Sequence, residues 1–165
     1  MLYDIVGNST IVHYDVKGEA LRKASSIDIA EIPRYDVIKR NEQGHQILAE
    51  TLAIWPHLGE CRNCELKLQS KASVFLEVYY YSTKNYEKWT DLEGNNVREH
   101  EMHHVNSYMD YWNSFTIKAN LHEKKYKNHK ECLTKLKYVS RVYQKVINLA
   151  NKAQVAFDKK VYPKR

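Results

Sequence analysis

The hydrophobic pattern of this chain changes period once, near Gly94, and that change restricts it to few folds. Before Gly94 apolar residues tend to alternate; after it they recur every three to four positions. Across residues 71–82, Val74, Leu76, Val78 and Tyr80 share one face, as in a half-buried strand. Beyond Gly94, His100, His104, Tyr108, Trp112, Phe115 and Ala119 recur at helical spacing, and Leu133, Leu136, Val139, Tyr143, Val146, Ala150, Gln154 and Phe157 do so again. The polar stretch 122–130 predicts the turn between two long helices. The expected class is therefore α+β, with an antiparallel sheet packed against a C-terminal helical hairpin. With 165 residues, 43% of them hydrophobic, one core suffices. A single domain over 1–165 is expected, mainly strands and one short helix over 1–92 and two long helices over 93–165.

Within the strand half, residues 9–16 are β-branched and aromatic enough for a strand, and 18–25 read as the short helix. Signals over 27–41 are weak. Residues 44–55 form another extended segment that Pro56 interrupts, and 60–68 with 71–82 predict a hairpin. No apolar run approaches the ~20 residues that cross a bilayer, which excludes a membrane span. Five Gly and three Pro exclude collagen-like or linker-like material.

Five residues carry the chemistry. His100-Glu101-Met102-His103-His104 spell H-E-x-x-H on a segment that is independently helical. Residues four apart lie one turn above each other, so the imidazoles of His100 and His104 can converge on one zinc ion. Glu101 beside them can take a proton from an attacking water and pass it to a leaving amine. His103, about 300° round the helix from His100, falls off that line. Tyr108, one turn beyond His104, is a candidate to touch the site or donate to a developing oxyanion.

A catalytic zinc needs a third protein ligand. Glu123, on a continuous helix, would lie about 28 Å from His104 at 1.5 Å per residue, too far to serve, and residues 105–121 contain no Gly or Pro on which to turn back. If the helical hairpin turns near Asn128 or His129, His100 lies opposite residues 156–158, where Asp158 is the acid. Asp158 is therefore the expected third ligand or its supporting partner, ahead of Asp110, Glu123 or a residue from the sheet. His122 and His129 fall near the turn and are expected in solvent.

Taken together, these residues make the chain resemble a bacterial family of domains of unknown function described as predicted secreted zinc-dependent proteases. The likeness covers most of the chain. His13 to Leu21 (His-Tyr-Asp-Val-Lys-Gly-Glu-Ala-Leu) look like that family's opening strand, glycine turn and short helix. A cysteine-bearing hairpin precedes the aromatic strand, Trp89 lies shortly before the H-E-x-x-H, and Cys132 opens the second long helix. Gln154-Val-Ala-Phe157-Asp158 looks like the family's closing Gln-x-x-Tyr-Asp. The family often continues to Thr-x-His-Gly, where this chain has Val161-Tyr162-Pro163-Lys164. The resemblance implies a zincin-like fold, Zn2+ as cofactor, peptide or protein substrates, and a secreted or periplasmic setting. In that setting a disulfide from Cys132 to Cys61 or Cys64 is expected. The opening Met-Leu-Tyr-Asp-Ile-Val-Gly-Asn has no basic region followed by an apolar stretch, so export is expected if the chain is a trimmed mature form.

Charge supplies the alternative. The net charge is +6, but residues 117–165 hold 14 basic side chains against three acidic ones, a net +11 that leaves −5 on residues 1–116. A non-catalytic module could use such a basic second helix on an acidic protein, an anionic envelope polymer or nucleic acid. Nucleic acid ranks below the peptide substrate.

Overall fold

The computed structural model describes residues 3–6, 9–15, 26–68, 74–82 and 88–162. The short helix expected over 18–25 lies outside them. Among the described residues nine strands precede two helices: β1 (Tyr3–Val6), β2 (Ser9–Asp15), β3 (Ser26–Pro33), β4 (Lys39–Arg40), β5 (Gln46–Ile47), β6 (Ala49–Ile54), β7 (Gly59–Arg62), β8 (Glu65–Leu68), β9 (Phe75–Tyr80), α1 (Val97–Asn120) and α2 (His129–Val161). The class is α+β, as the period change implies.

The main sheet runs β1-β2-β3-β9-β6. It is mixed rather than antiparallel, because β9 lies parallel to β3, with Ile29 opposite Leu76 and Glu31 opposite Val78, and antiparallel to β6. The long connection from β3 to β9 supplies the crossover that a parallel pair requires. β3 itself lies where the sequence signals were weak.

The expected pairing of 60–68 with 71–82 is also corrected. β7 pairs with β8 in a separate two-stranded unit, while β9 sits in the main sheet. The reason is local: Asn63 and Cys64 both take positive φ, 50° and 63°, the conformation of a tight two-residue hairpin turn. Gly59 closes this unit, since a Cβ there would sit 2.2 Å from the Lys67 carbonyl oxygen.

Helix α1 begins where Asn96 accepts from Glu99 N and Glu99 returns the bond to Asn96 N, a complete capping box. Asn128 caps α2 with its side-chain oxygen, which accepts from Glu131 N. The two helices run antiparallel: His100 meets Asp158, Tyr108 meets Asn151, and Phe115 packs edge-on against Tyr143. Their inner faces and the inner face of the sheet enclose Ile29, Leu76, Val78, Val105, Trp112, Val139 and Ala150. Trp55 at the end of β6 packs against Tyr108, Trp112 and Tyr143, fixing β6 alongside α1. Leu133 departs from the predicted stripe and is exposed. Its neighbour Cys132 is buried in its place and bonds to Cys61, joining the β7–β8 hairpin to the start of α2. Of the two expected partners for Cys132, Cys61 is the one used, and Cys64 is a free thiol. No described helix is long and apolar enough to cross a membrane.

Candidate metal centre

Spacing on α1 and register across the helix pair assemble the site. His100, Glu101 and His104 are buried, and each offers a ligand atom within 4.8 Å of the others, a group that could hold a metal ion. From α2, Asp158 Oδ1 reaches both rings, 3.1 Å from His100 Nε2 and 2.8 Å from His104 Nε2. The acid facing His100 across the hairpin is thus the one expected from symmetry about the turn.

The opposite nitrogen of each ring is also engaged. His100 Nδ1 lies 3.0 Å from Asp91 Oδ2, and His104 Nδ1 lies 2.8 Å from Gln154 Oε1. The Gln154 amide is oriented because its Nε2 donates to the Ala150 carbonyl at 2.8 Å and to Ser107 Oγ at 3.0 Å. An oxygen therefore faces His104 Nδ1, and that nitrogen must be the donor; Asp91 imposes the same on His100. Both Nε2 atoms are then left to face one carboxylate oxygen. Three acceptors at that range repel unless two protons or one cation lie among them. This donor set fits a metal ion.

Burial, which opposes charging, is the largest influence on His100, yet the carboxylates of Asp158 and Asp91 outweigh it and raise its pKa. His104 follows the same order, burial first and Asp158 prevailing. For Asp158, burial pushes the pKa up, but hydrogen bonds from the two rings hold it below the ordinary carboxylate value. Glu101, 2% exposed, is governed by burial and raised, although Thr51 Oγ1 donates to its Oε2 at 2.6 Å.

The site opens on a cleft of about 640 Å³ lined by β6, the β4–β5 hairpin, Trp89, Val97 and Tyr162. Trp89 and Tyr162 pack on the His100 ring, with centroids 5.5 and 5.0 Å away. The free edge of β6 borders the cleft. Tyr81 N bonds Leu48 O across the β6–β9 ladder, so by alternation the backbone groups of Ala49, Thr51 and Ala53 turn away from β9. No described strand pairs with that edge.

Other candidates lie elsewhere. Tyr108 donates to Asn151 Oδ1 at 3.4 Å and packs on Trp55; it does not line the cleft, because its position on α1 points into the aromatic core. Glu123 accepts from Leu68 N and anchors the β7–β8 hairpin. Asp110 is exposed and His103 stacks on Phe157. His129 is exposed, whereas His122 is half-buried against Tyr138. Sequence reasoning missed Asp91, Thr51 and Tyr162. Asp91 had one local signal, the Asp-Leu-Glu-Gly turn before α1, where its side chain accepts from Glu93 N and Asn95 N. Thr51 had none, since its contact with Glu101 spans 50 residues.

Set against known proteins, the chain matches no protein-family model, no curated protein and no solved structure.

Proposed function

We propose that the protein is a zinc-dependent peptidase in which His100, His104 and Asp158 hold the zinc and Glu101 is general base and acid. The observation that carries this reading is the convergence of two imidazole Nε2 atoms on one carboxylate oxygen, with a buried Glu beside them. Ligands at zinc bond lengths of about 2.0–2.1 Å in a tetrahedron are separated by about 3.3 Å. The 2.8 and 3.1 Å separations here are close to that spacing. Two ring protons and one divalent ion carry the same charge, so Zn2+ suits a pocket whose carboxylates balance two positive charges.

Bound there, zinc supplies Lewis acidity toward a carbonyl oxygen and makes water acidic near neutral pH. The chain's own residues do the rest. Thr51 holds Glu101 by Oε2, leaving Oε1 to take the proton of the attacking water and return it to the departing amine. Asp91 and Gln154 hold the two rings in one tautomer. The outward backbone groups of Ala49, Thr51 and Ala53 suit an extended peptide that adds to the edge of β6 and lies across the site. The family resemblance points the same way. The Cys61–Cys132 bond supports an oxidising, secreted or periplasmic setting.

The test separates metal from chemistry. Glu101→Gln should retain stoichiometric zinc by elemental analysis while cleavage of a quenched-fluorescent peptide library falls by about 10²–10⁴-fold. His100→Ala should lose zinc and cleavage together. A zinc-loaded wild type that cleaves no peptide in the library, or a Glu101→Gln protein as fast as wild type, would sink the proposal.

A further inference from the structure

We propose that the outward face of α2 docks the protein onto anionic lipid bilayers. Lys130, Lys137, Arg141, Lys145, Lys152 and Lys159 are all exposed. At about 100° per residue they fall in one stripe about 80° wide, and at 1.5 Å per residue that stripe runs about 44 Å. Its centre lies opposite the buried face formed by Cys132, Val139, Tyr143, Ala150, Gln154 and Val161. The two acids near the ends of α2, Glu131 and Asp158, fall outside the stripe by the same rotation. Among the described residues, none of the six basic side chains belongs to an ion pair. A row of like charges this long is self-repelling unless an external anion neutralises it.

The shape of the surface selects the partner. The stripe crowns the outward face of a single helix, and its six long, flexible side chains can reach the anionic headgroups of a near-planar surface together. A soluble polyanion would find no groove on this face and would lose chain entropy at each ordered unit. Duplex DNA presents a groove that turns once in about 34 Å, so it curves away from a single helix face about 44 Å long. A fluid bilayer imposes neither penalty, and each basic residue near such a surface strengthens binding roughly five-fold. Gln154 and Asp158 lie about 100–140° round α2 from the stripe, which keeps the cleft clear of the docked surface.

The test is sedimentation of the full chain with vesicles of roughly one-third phosphatidylglycerol in phosphatidylcholine, and with phosphatidylcholine alone, at about 50 and 500 mM salt. Binding is expected to the anionic vesicles at low salt and to be lost at high salt. The variant K137Q/R141Q/K145Q/K152Q should bind at least about 100-fold more weakly. The variant K118Q/K124Q/K125Q/K127Q, with the same charge change off the stripe, should bind within a few-fold of wild type. Circular dichroism confirms that both fold. Equal binding to neutral vesicles, equal loss in the two variants, or stripe-dependent binding of polyphosphate or duplex DNA without vesicle binding would each overturn the proposal. The assay uses no catalysis, so its outcome is separate from that of the peptidase reading.

Discussion

At the scale of single residues, the centre depends on groups that fix where protons are. Gln154 is the clearest case. Its carboxamide nitrogen is held by the Ala150 carbonyl, so its oxygen faces His104 Nδ1 and the Nε2 lone pair is turned toward Asp158. Gln154→Leu keeps the side-chain bulk and removes that orientation. Zinc affinity should fall by about 10–100-fold, read by competition with a chromophoric chelator, with little change in the circular dichroism spectrum. Unchanged affinity would mean that the ring needs no partner at Nδ1. Asp91 makes a less selective target, because the same carboxylate also ties down the turn before α1 through Glu93 N and Asn95 N.

At the scale of elements, the helix pair carries two separable features at its two ends. The Cys61–Cys132 disulfide closes a loop with a sequence separation of 71, and its loss should cost about 2–5 kcal/mol, chiefly by freeing the unfolded chain. Asp158 lies 26 residues further along α2, about 39 Å at 1.5 Å per residue. A C61S/C132S protein should therefore unfold at lower urea concentration yet bind zinc as tightly as wild type. Coupled loss of both would show that the hairpin supports the site at a distance. The same geometry explains what could be read in the sequence. His100, Glu101 and His104 need only the helical repeat, and Asp158 needs only one turn position, because antiparallel helices pair residues equidistant from it. The parallel β3–β9 pairing was illegible because it depends on how a long connection crosses, and the β3 segment has no strong pattern of its own. Thr51 went with it: that side chain finds Glu101 only once β6 is placed at the sheet edge.

At the scale of the whole molecule, the buried centre makes stability depend on pH and metal together. His100 and His104 have raised pKa values, so folding without metal binds protons more tightly at these rings than the unfolded chain does. That contribution is complete below about 6.5, the ordinary histidine value, and is lost as pH rises through the raised values. Glu101, also raised, acts in the same direction from the ordinary carboxylate value upward. Asp158 is lowered, so its contribution is complete above the ordinary carboxylate value and is lost only in acid, as pH falls through its depressed value. From about pH 6.5 upward the two histidines and Glu101 act in the same direction, and the melting temperature of chelator-stripped protein should fall as pH rises. Zinc should reverse the trend, because deprotonation frees both Nε2 atoms; at 1,000-fold excess over Kd it adds about 4 kcal/mol. Calorimetry at stepped pH, with and without zinc, reads both effects. Asp158→Asn, which removes the carboxylate shared by the rings, should flatten the metal-free profile. A stripped wild type whose melting temperature is level or rising across that window would show that the rings hold no such protons, and that the acceptors around Asp158 are reconciled in another way.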